Sequence, residues 1–135
     1  MQALPRDGVG VRQLVDMPLV LGSTALRGAV DAAFERAGCR PRIVLEIDGL
    51  SVLLDAVRAG LGATIQPGSS ILRLPRDALT RIEIADPLAR RLNVLACLRE
   101  SELSTAALAA RGVLSETAKT LIEAGRWPGA GHHAP

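Results

Sequence analysis

The chain is nearly free of aromatic residues: it has one phenylalanine, Phe34, one tryptophan, Trp127, and no tyrosine. Its 135 residues are 48% hydrophobic, so a core must be built from leucine, valine, isoleucine and alanine. The length suits one domain of ordinary size. The composition is that of a globular chain and excludes a disordered one.

Histidine is confined to the C-terminal tail, at His132 and His133. Catalysis by a Ser-His or Cys-His arrangement inside the fold is therefore excluded, and a histidine metal site is not expected. Cys39 and Cys97 lie far apart and match no metal or redox spacing. No glycine-rich phosphate motif follows a predicted strand. We predict no catalytic residue, no metal site, no cofactor and no enzyme activity.

Long apolar runs and a strong charge imbalance are also missing. No stretch approaches the roughly 20 apolar residues that span a membrane, and residues 1–10 lack the apolar centre of a signal peptide. A net charge of +2, with arginines scattered along the chain, does not indicate a nucleic-acid surface. We expect a cytoplasmic protein without membrane contact.

Short apolar runs alternate with helical patterns between residues 18 and 67. Three runs have the length and uniform apolarity of strands in a parallel sheet: residues 18–21, 43–47 and 63–65. Between them, apolar residues recur at the three- and four-residue spacing of helices. The order strand, helix, strand, helix, strand predicts an α/β fold with helices on both faces of the sheet.

Polar residues and glycines mark the ends of these two helices. Ser23 and Thr24 are competent N-caps for the first helix, and Gly38 is its predicted stop. Asp48 is the candidate cap of the second helix, which should end at Gly60 or at Gly62.

Outside this unit the patterns are weaker. Residues 11–15 resemble a short extended segment, and residues 68–72 a short helix. Polar and apolar residues alternate over residues 81–84, and residues 93–98 form another apolar run, so both are predicted strands. A long helix is predicted from about Thr105 to Ala124, capped by Ser104 and stopped by Gly125.

Three loops leave the carboxyl ends of the predicted strands: residues 22–25, 48–50 and 66–69. In a parallel sheet these ends meet at one edge, where ligands bind. Free backbone amides and the hydroxyls of Ser23 and Thr24 would favour a small carboxylate there. Helix capping alone also explains these two residues and Asp48, because every such fold needs caps.

Three more residues are candidates at this edge. Arg27 lies one turn inside the first helix, where it would reach a bound carboxylate or face solvent. Gln66 ends a strand and would direct its amide into a cleft. Glu46 and Asp48 are two apart on a strand and would form a pair of acids, although capping explains Asp48 more simply.

Several segments resemble the effector-binding domain of LysR-type transcriptional regulators, especially the nitrogen-assimilation-regulator subgroup. The resemblance covers residues 11–127. It rests on these stretches: residues 18–23, 26–27, 31–34, 37–38, 46–48, 57–67, 84–87, 102–104, 106–111 and 124–127.

The resemblance implies a fold like that of type II periplasmic binding proteins, with two α/β lobes joined by two crossover strands and the effector between them. Residues 1–15 would be a remnant of lobe one and a crossover, and residues 16–84 a complete βαβαβ lobe two. Residues 85–127 would return to lobe one with the C-terminal helix, and residues 128–135 would be a flexible tail.

In the family, the loop corresponding to Gly22–Arg27 and the region near Gln66 and Pro67 line the effector cleft. This agrees with the argument from the sheet edge. The two arguments together predict an effector site made of Gly22, Ser23, Thr24, Arg27, Asp48, Gln66 and Pro67.

The resemblance also sets the expected function. Family members begin with a winged helix-turn-helix and the first half of lobe one, which these residues do not match. We expect a sensor fragment of a regulator that binds a small organic acid, forms homo-oligomers and contacts DNA only through the missing part. A solute-binding protein of the same fold and an inactive truncated gene product are the alternatives. Apolar faces without lobe-one partners predict self-association or exposed apolar surface.

Overall fold

Strand β1 (Pro18–Leu21) is the central segment of a small parallel sheet in the computed structural model. It pairs in parallel with β2 (Arg42–Glu46) along one side. On its other side Ala63 forms a parallel bridge with Leu19, held by two backbone hydrogen bonds of 2.8 Å. The parallel order agrees with the sequence, but the third segment is a single bridge and not a strand over residues 63–65.

The structure describes residues 8–23, 25–71, 74–75, 78–86, 89 and 93–131. The chain divides into two compact units. The first consists of Met1–Gln66 with Leu74–Arg91, and the second of Pro67–Arg73 with Leu92–Pro135. The parallel sheet belongs to the first unit.

Two helices of the first unit follow the two strands. Helix α1 (Ala25–Arg36) is followed by Gly38 with φ of 69°, and α2 (Leu50–Arg58) is followed by Gly60 with φ of 78°. Glycine takes this left-handed conformation without steric cost, which lets the chain leave each helix. The predicted stops at these two glycines are confirmed.

The core of the first unit lies on both faces of β1, because successive side chains of a strand point to opposite faces. Leu19 and Leu21 pack in one buried cluster with Val30 and Phe34 of α1. Val20 points the other way and packs in a second cluster, with Leu53, Leu54 and Ala56 of α2. Helices therefore cover both faces of this strand, as the uniform apolar pattern predicted.

Two short segments of the first unit differ from the prediction. Residues 11–15 were expected to be extended, but Val11–Leu14 is a 3₁₀ helix. Gln13 closes this turn, since its backbone N–H donates to the Gly10 carbonyl at 3.0 Å and its Oε1 accepts from the Gly10 N–H at 2.8 Å. Residues 81–84 alternate in exposure as expected, yet within the described residues only Ile84 pairs, in a parallel bridge with Val9.

The second unit contains helix α3 (Thr105–Glu123), and its predicted ends are confirmed. The Ser104 hydroxyl accepts a hydrogen bond from the backbone N–H of Ala107 at 3.2 Å, which satisfies one free donor of the first turn. Gly125, with φ of 63°, follows the helix. Two 3₁₀ turns, Gly68–Ile71 and Glu100–Glu102, precede it.

The predicted strand at residues 93–98 is wrong. These residues pair with no other segment that the structure describes, and Val94 is 81% exposed. Helix α3 has no buried residue, and Val113 on it is 66% exposed. A strand needs a neighbouring segment to form hydrogen bonds with its backbone N–H and C=O groups. An apolar sequence alone does not supply that neighbour.

We expect Gly62 to be required for the bridge beside β1. A Cβ atom at this position would lie 2.6 Å from the Pro18 carbonyl oxygen. Gly62→Ala should therefore lower the free energy of unfolding by about 1–3 kcal/mol, through displacement of β1. The control is Gly28→Ala, at an exposed position of α1 where the new Cβ atom would meet open space. It should raise the free energy of unfolding by about 0.5–1 kcal/mol. A urea unfolding curve of Gly62→Ala that matched the wild-type curve would contradict the close approach.

Candidate functional site

A small pocket of about 90 Å³ opens at the carboxyl edge of the parallel sheet. Its walls are mostly apolar and come from the ends of β1 and β2, from α1 and α2, and from the segment after the bridge at Ala63: Leu21, Leu26, Val30, Ile47, Leu50, Leu53 and Ile65. The backbone of Gly22 and Gly49 and the side chains of Arg27 and Gln66 complete the lining. The pocket is thus located where the parallel topology predicts a ligand site.

The structure brings together some of the predicted site residues. Gly22, Arg27 and Gln66 line the pocket. Ser23 and Asp48 do not line it; they are the sequence neighbours of the lining glycines Gly22 and Gly49. Thr24 lies outside the described residues. Pro67 belongs to the second unit.

Asp48 binds Ser23 and does not cap α2. Its Oδ1 accepts hydrogen bonds from the Ser23 backbone N–H at 3.0 Å and from the Ser23 hydroxyl at 2.6 Å. The N-cap of α2 is Gly49, which has φ of 103° and makes no side-chain cap. Two expectations are therefore corrected: the cap at Asp48, and a free amide donor at position 23.

The two hydrogen bonds from Ser23, the hydroxyl first and the backbone amide second, lower the pKa of Asp48 below its ordinary value. Both donors favour the ionised carboxylate, because a protonated oxygen accepts them less well. At neutral pH Asp48 is therefore ionised, and its hydrogen bonds with Ser23 join the loops that follow β1 and β2.

Arg27 is bound on two sides by carboxylates. Its Nε donates to the two oxygens of Asp31 at 2.9 and 3.0 Å, and its Nη1 donates to Oε1 of Glu46 at 2.6 Å. The hydrogen bond to Glu46, followed by that to Asp31, raises the pKa of the guanidinium above its ordinary value. The charge of Arg27 is thus compensated within the protein and is not free for an incoming anion.

A β-bulge in β2 explains how Glu46 reaches Arg27. Ile43 pairs with Leu19, but the next pair is Leu45 with Val20, so Val44 is an extra residue. Side chains of a strand alternate between the two faces of the sheet, so one extra residue moves every later side chain to the opposite face. Glu46 therefore lies on the α1 side of the sheet, where it binds Arg27. The expected pair of acids is corrected, because Asp48 follows the end of β2 and binds Ser23 instead.

The sequence analysis did not predict that Asp31 and Glu46 would pair with Arg27. The spacing of Arg27 and Asp31, four residues apart on one helix, is a visible signal for an ion pair. The contact of Glu46 had no such signal, because it depends on the bulge. Among the residues placed by the structure, no cluster of three potential metal ligands occurs, and no helix is long and apolar enough to cross a membrane.

Comparison with known families agrees with this geometry. A profile described as the LysR substrate binding domain matches residues 2–119. No solved structure matches the chain significantly. The chain therefore belongs to the LysR substrate-binding-domain family. Such domains are the small-molecule effector-binding parts of transcriptional regulators, which are not enzymes, and have an α/β fold related to periplasmic binding proteins.

The hydrogen bonds of Asp48 make a prediction about acid stability. Because its pKa is lower in the folded than in the unfolded state, the ionised form stabilises the fold at neutral pH, and this contribution is lost as pH falls below about 4. Asp48→Asn should therefore lose less stability than the wild type between neutral and acidic pH, measured by urea unfolding.

Ser104→Ala is the control for this experiment, since it removes a capping hydroxyl that binds no carboxylate. It should lower stability by about 1 kcal/mol at both pH values. Identical pH profiles for Asp48→Asn and the wild type would contradict the contact with Ser23.

Proposed function

We propose that this chain is the effector-sensing part of a LysR-type transcriptional regulator and binds its effector in the pocket at the sheet edge. The observation that carries the proposal is the convergence of Gly22, Arg27 and Gln66, which come from different segments, on one pocket. The family match supports the same class of function, in which binding itself is the signal and no chemistry occurs.

The proposal includes the finer expectations from the sequence. Residues 16–84 would form lobe two, residues 1–15 and 85–127 would belong to crossovers and lobe one, and the effector would lie between the lobes. An effector that binds one arrangement of the subunits more tightly than the other would increase the population of the arrangement it prefers. DNA would be contacted by a winged helix-turn-helix outside these 135 residues, in the cytoplasm. Membership of the nitrogen-assimilation-regulator subgroup stays a prediction.

The main argument for an organic acid effector no longer holds. It relied on an unoccupied amide at Ser23, and that amide donates to Asp48. It also relied on Arg27, which is paired with Asp31 and Glu46. A small organic anion therefore stays a prediction to be tested against other ligand classes, and the proposal here is limited to a small molecule in this pocket.

A substitution that fills the pocket tests the location of the site. Leu26→Phe places a larger ring in a space of about 90 Å³ and should weaken effector binding by about tenfold or more. Binding is measured by titrating the ¹⁵N-labelled chain with a panel of small amines, amides and carboxylates. The amide signals of Gly22, Leu53 and Gln66 should move in the wild type.

Val52→Phe is the matched control, since Val52 is 59% exposed on α2 and does not line the pocket. It should leave binding unchanged. The proposed site would be excluded if no compound in the panel moved the pocket signals, or if Leu26→Phe bound as well as the wild type.

We also propose that the chain forms homo-oligomers through the second unit. The support is the exposed apolar surface of this unit: Val94, Leu95, Leu98, Val113 and Leu114. Apolar surface exposed to water favours association with a partner. The C-terminal helix then has a role in assembly, while the pocket lies within the first unit.

Light scattering should give a mass above that of one chain. Replacing Val113 and Leu114 together by glutamine should lower that mass and reduce binding of a hydrophobic dye, because both side chains are exposed on α3. Val52→Gln replaces an exposed valine of α2 in the first unit and should have no effect on the mass. A wild-type monomer that binds no dye would contradict the proposal.

A further inference from the structure

We propose that Arg27 limits the length of the ligand, because its side chain closes the pocket against a second, larger cavity. This inference rests on the proposed function, since it takes the pocket at the sheet edge as the effector site. It gives Arg27 a role in specificity that is independent of the ligand's charge. Asp31 and Glu46 are then positioning residues, which hold the Arg27 side chain in place.

The second cavity is an open groove of about 550 Å³ beside α1. Arg27, Asp31 and Glu35 line it from the helix, and their spacing of four residues places them on one helix face. Apolar surface comes from the loop after α1 and from β2: Cys39, Pro41 and Ile43. The groove therefore has room for the part of a longer ligand that the pocket cannot hold.

Arg27 is common to both cavities, whereas the other described residues of the two linings belong to one cavity alone. On α1, Leu26 and Val30 line the pocket. Asp31 and Glu35, which lie on the neighbouring row of the helix, line the groove. The Arg27 side chain lies where the two rows meet, and it therefore forms the wall between the two spaces.

Two carboxylates fix this wall. The Nε of Arg27 donates to Asp31 at 2.9 and 3.0 Å, and its Nη1 donates to Glu46 at 2.6 Å. One partner is on α1 and the other on β2, so the guanidinium spans from the helix to the strand. Hydrogen bonds between ionised groups are strong, and two directions of contact leave the side chain one orientation. The wall therefore stays closed while both ion pairs are intact.

The size of the closed pocket sets the expected limit. About 90 Å³ is the volume of roughly three water molecules in the liquid, and a methylene group is similar in size to a water molecule. A short alkyl tail such as that of butyramide fills this space. The tail of hexanamide is two methylene groups longer, so its end would stay in water and add little to binding.

The test compares four-carbon and six-carbon probes of three classes: butyramide with hexanamide, butylamine with hexylamine, and butyrate with hexanoate. Each is titrated into the ¹⁵N-labelled wild type and Arg27→Ala. In the wild type, the pair that binds should move the pocket signals of Gly22 and Leu53, leave the groove signals of Cys39 and Ile43 in place, and show nearly equal affinities.

Arg27→Ala removes the wall. The six-carbon probe should then also move the signals of Cys39 and Ile43, and it should bind about tenfold more tightly than the four-carbon probe, because two more methylene groups are buried. The inference would be overturned by nearly equal affinities in Arg27→Ala, or by a six-carbon probe that moves the groove signals of the wild type.

Glu46→Gln tests the positioning role, since it keeps Arg27 and removes one of the charges that hold it. The six-carbon probe should gain an advantage of about threefold over the four-carbon probe. Arg58→Ala is the matched control, because Arg58 also pairs with a carboxylate, that of Asp55, and lines neither cavity. It should keep the wild-type ratio. A wild-type ratio in Glu46→Gln would overturn the positioning role of Glu46.

Failure of the inference can be told from failure of the proposed function. If four-carbon probes move the pocket signals but six-carbon probes do not reach the groove in Arg27→Ala, the effector site stands and Arg27 does not limit ligand length. No movement of the pocket signals with any of these probes up to about 100 mM would remove both.

Discussion

The structure depends on β1 being hydrogen bonded along both edges and covered on both faces. Leu19, Val20 and Leu21 are buried. Buried backbone groups must be paired, so β2 and Ala63 are held beside this strand in parallel. Parallel segments end on the same side, and the loops that follow them must meet there. The pocket is a consequence of this constraint, before any polar residue is considered.

The polar residues then determine what the pocket can accept. Asp48 occupies the donors of Ser23, and this contact ties together the loops after β1 and β2. Asp31 and Glu46 occupy Arg27 in the same way. The donors that would have bound an anion are used inside the protein.

Local patterns in the sequence predicted the helices and their stops, because Gly38, Gly60 and Gly125 act through their own backbone conformation. The parallel edge was predicted from the order of the elements. Features that depend on distant partners were not predictable in this way. The bulge at Val44 depends on the register of β2 against β1, and it determines the face of the sheet on which Glu46 lies. Residues 93–98 have the composition of a strand, but no segment described here pairs with them.

The central claim is that a ligand sits against the apolar wall at the carboxyl edge of β1. The most direct measurement is the set of nuclear Overhauser effects between a bound compound from the panel of small amines, amides and carboxylates and the labelled methyl groups of leucine and valine. We predict contacts from the alkyl chain to Leu26, Val30 and Leu53. Contacts to Val113 and Leu114 in their place would contradict the account, because the ligand would then bind the exposed helix of the second unit.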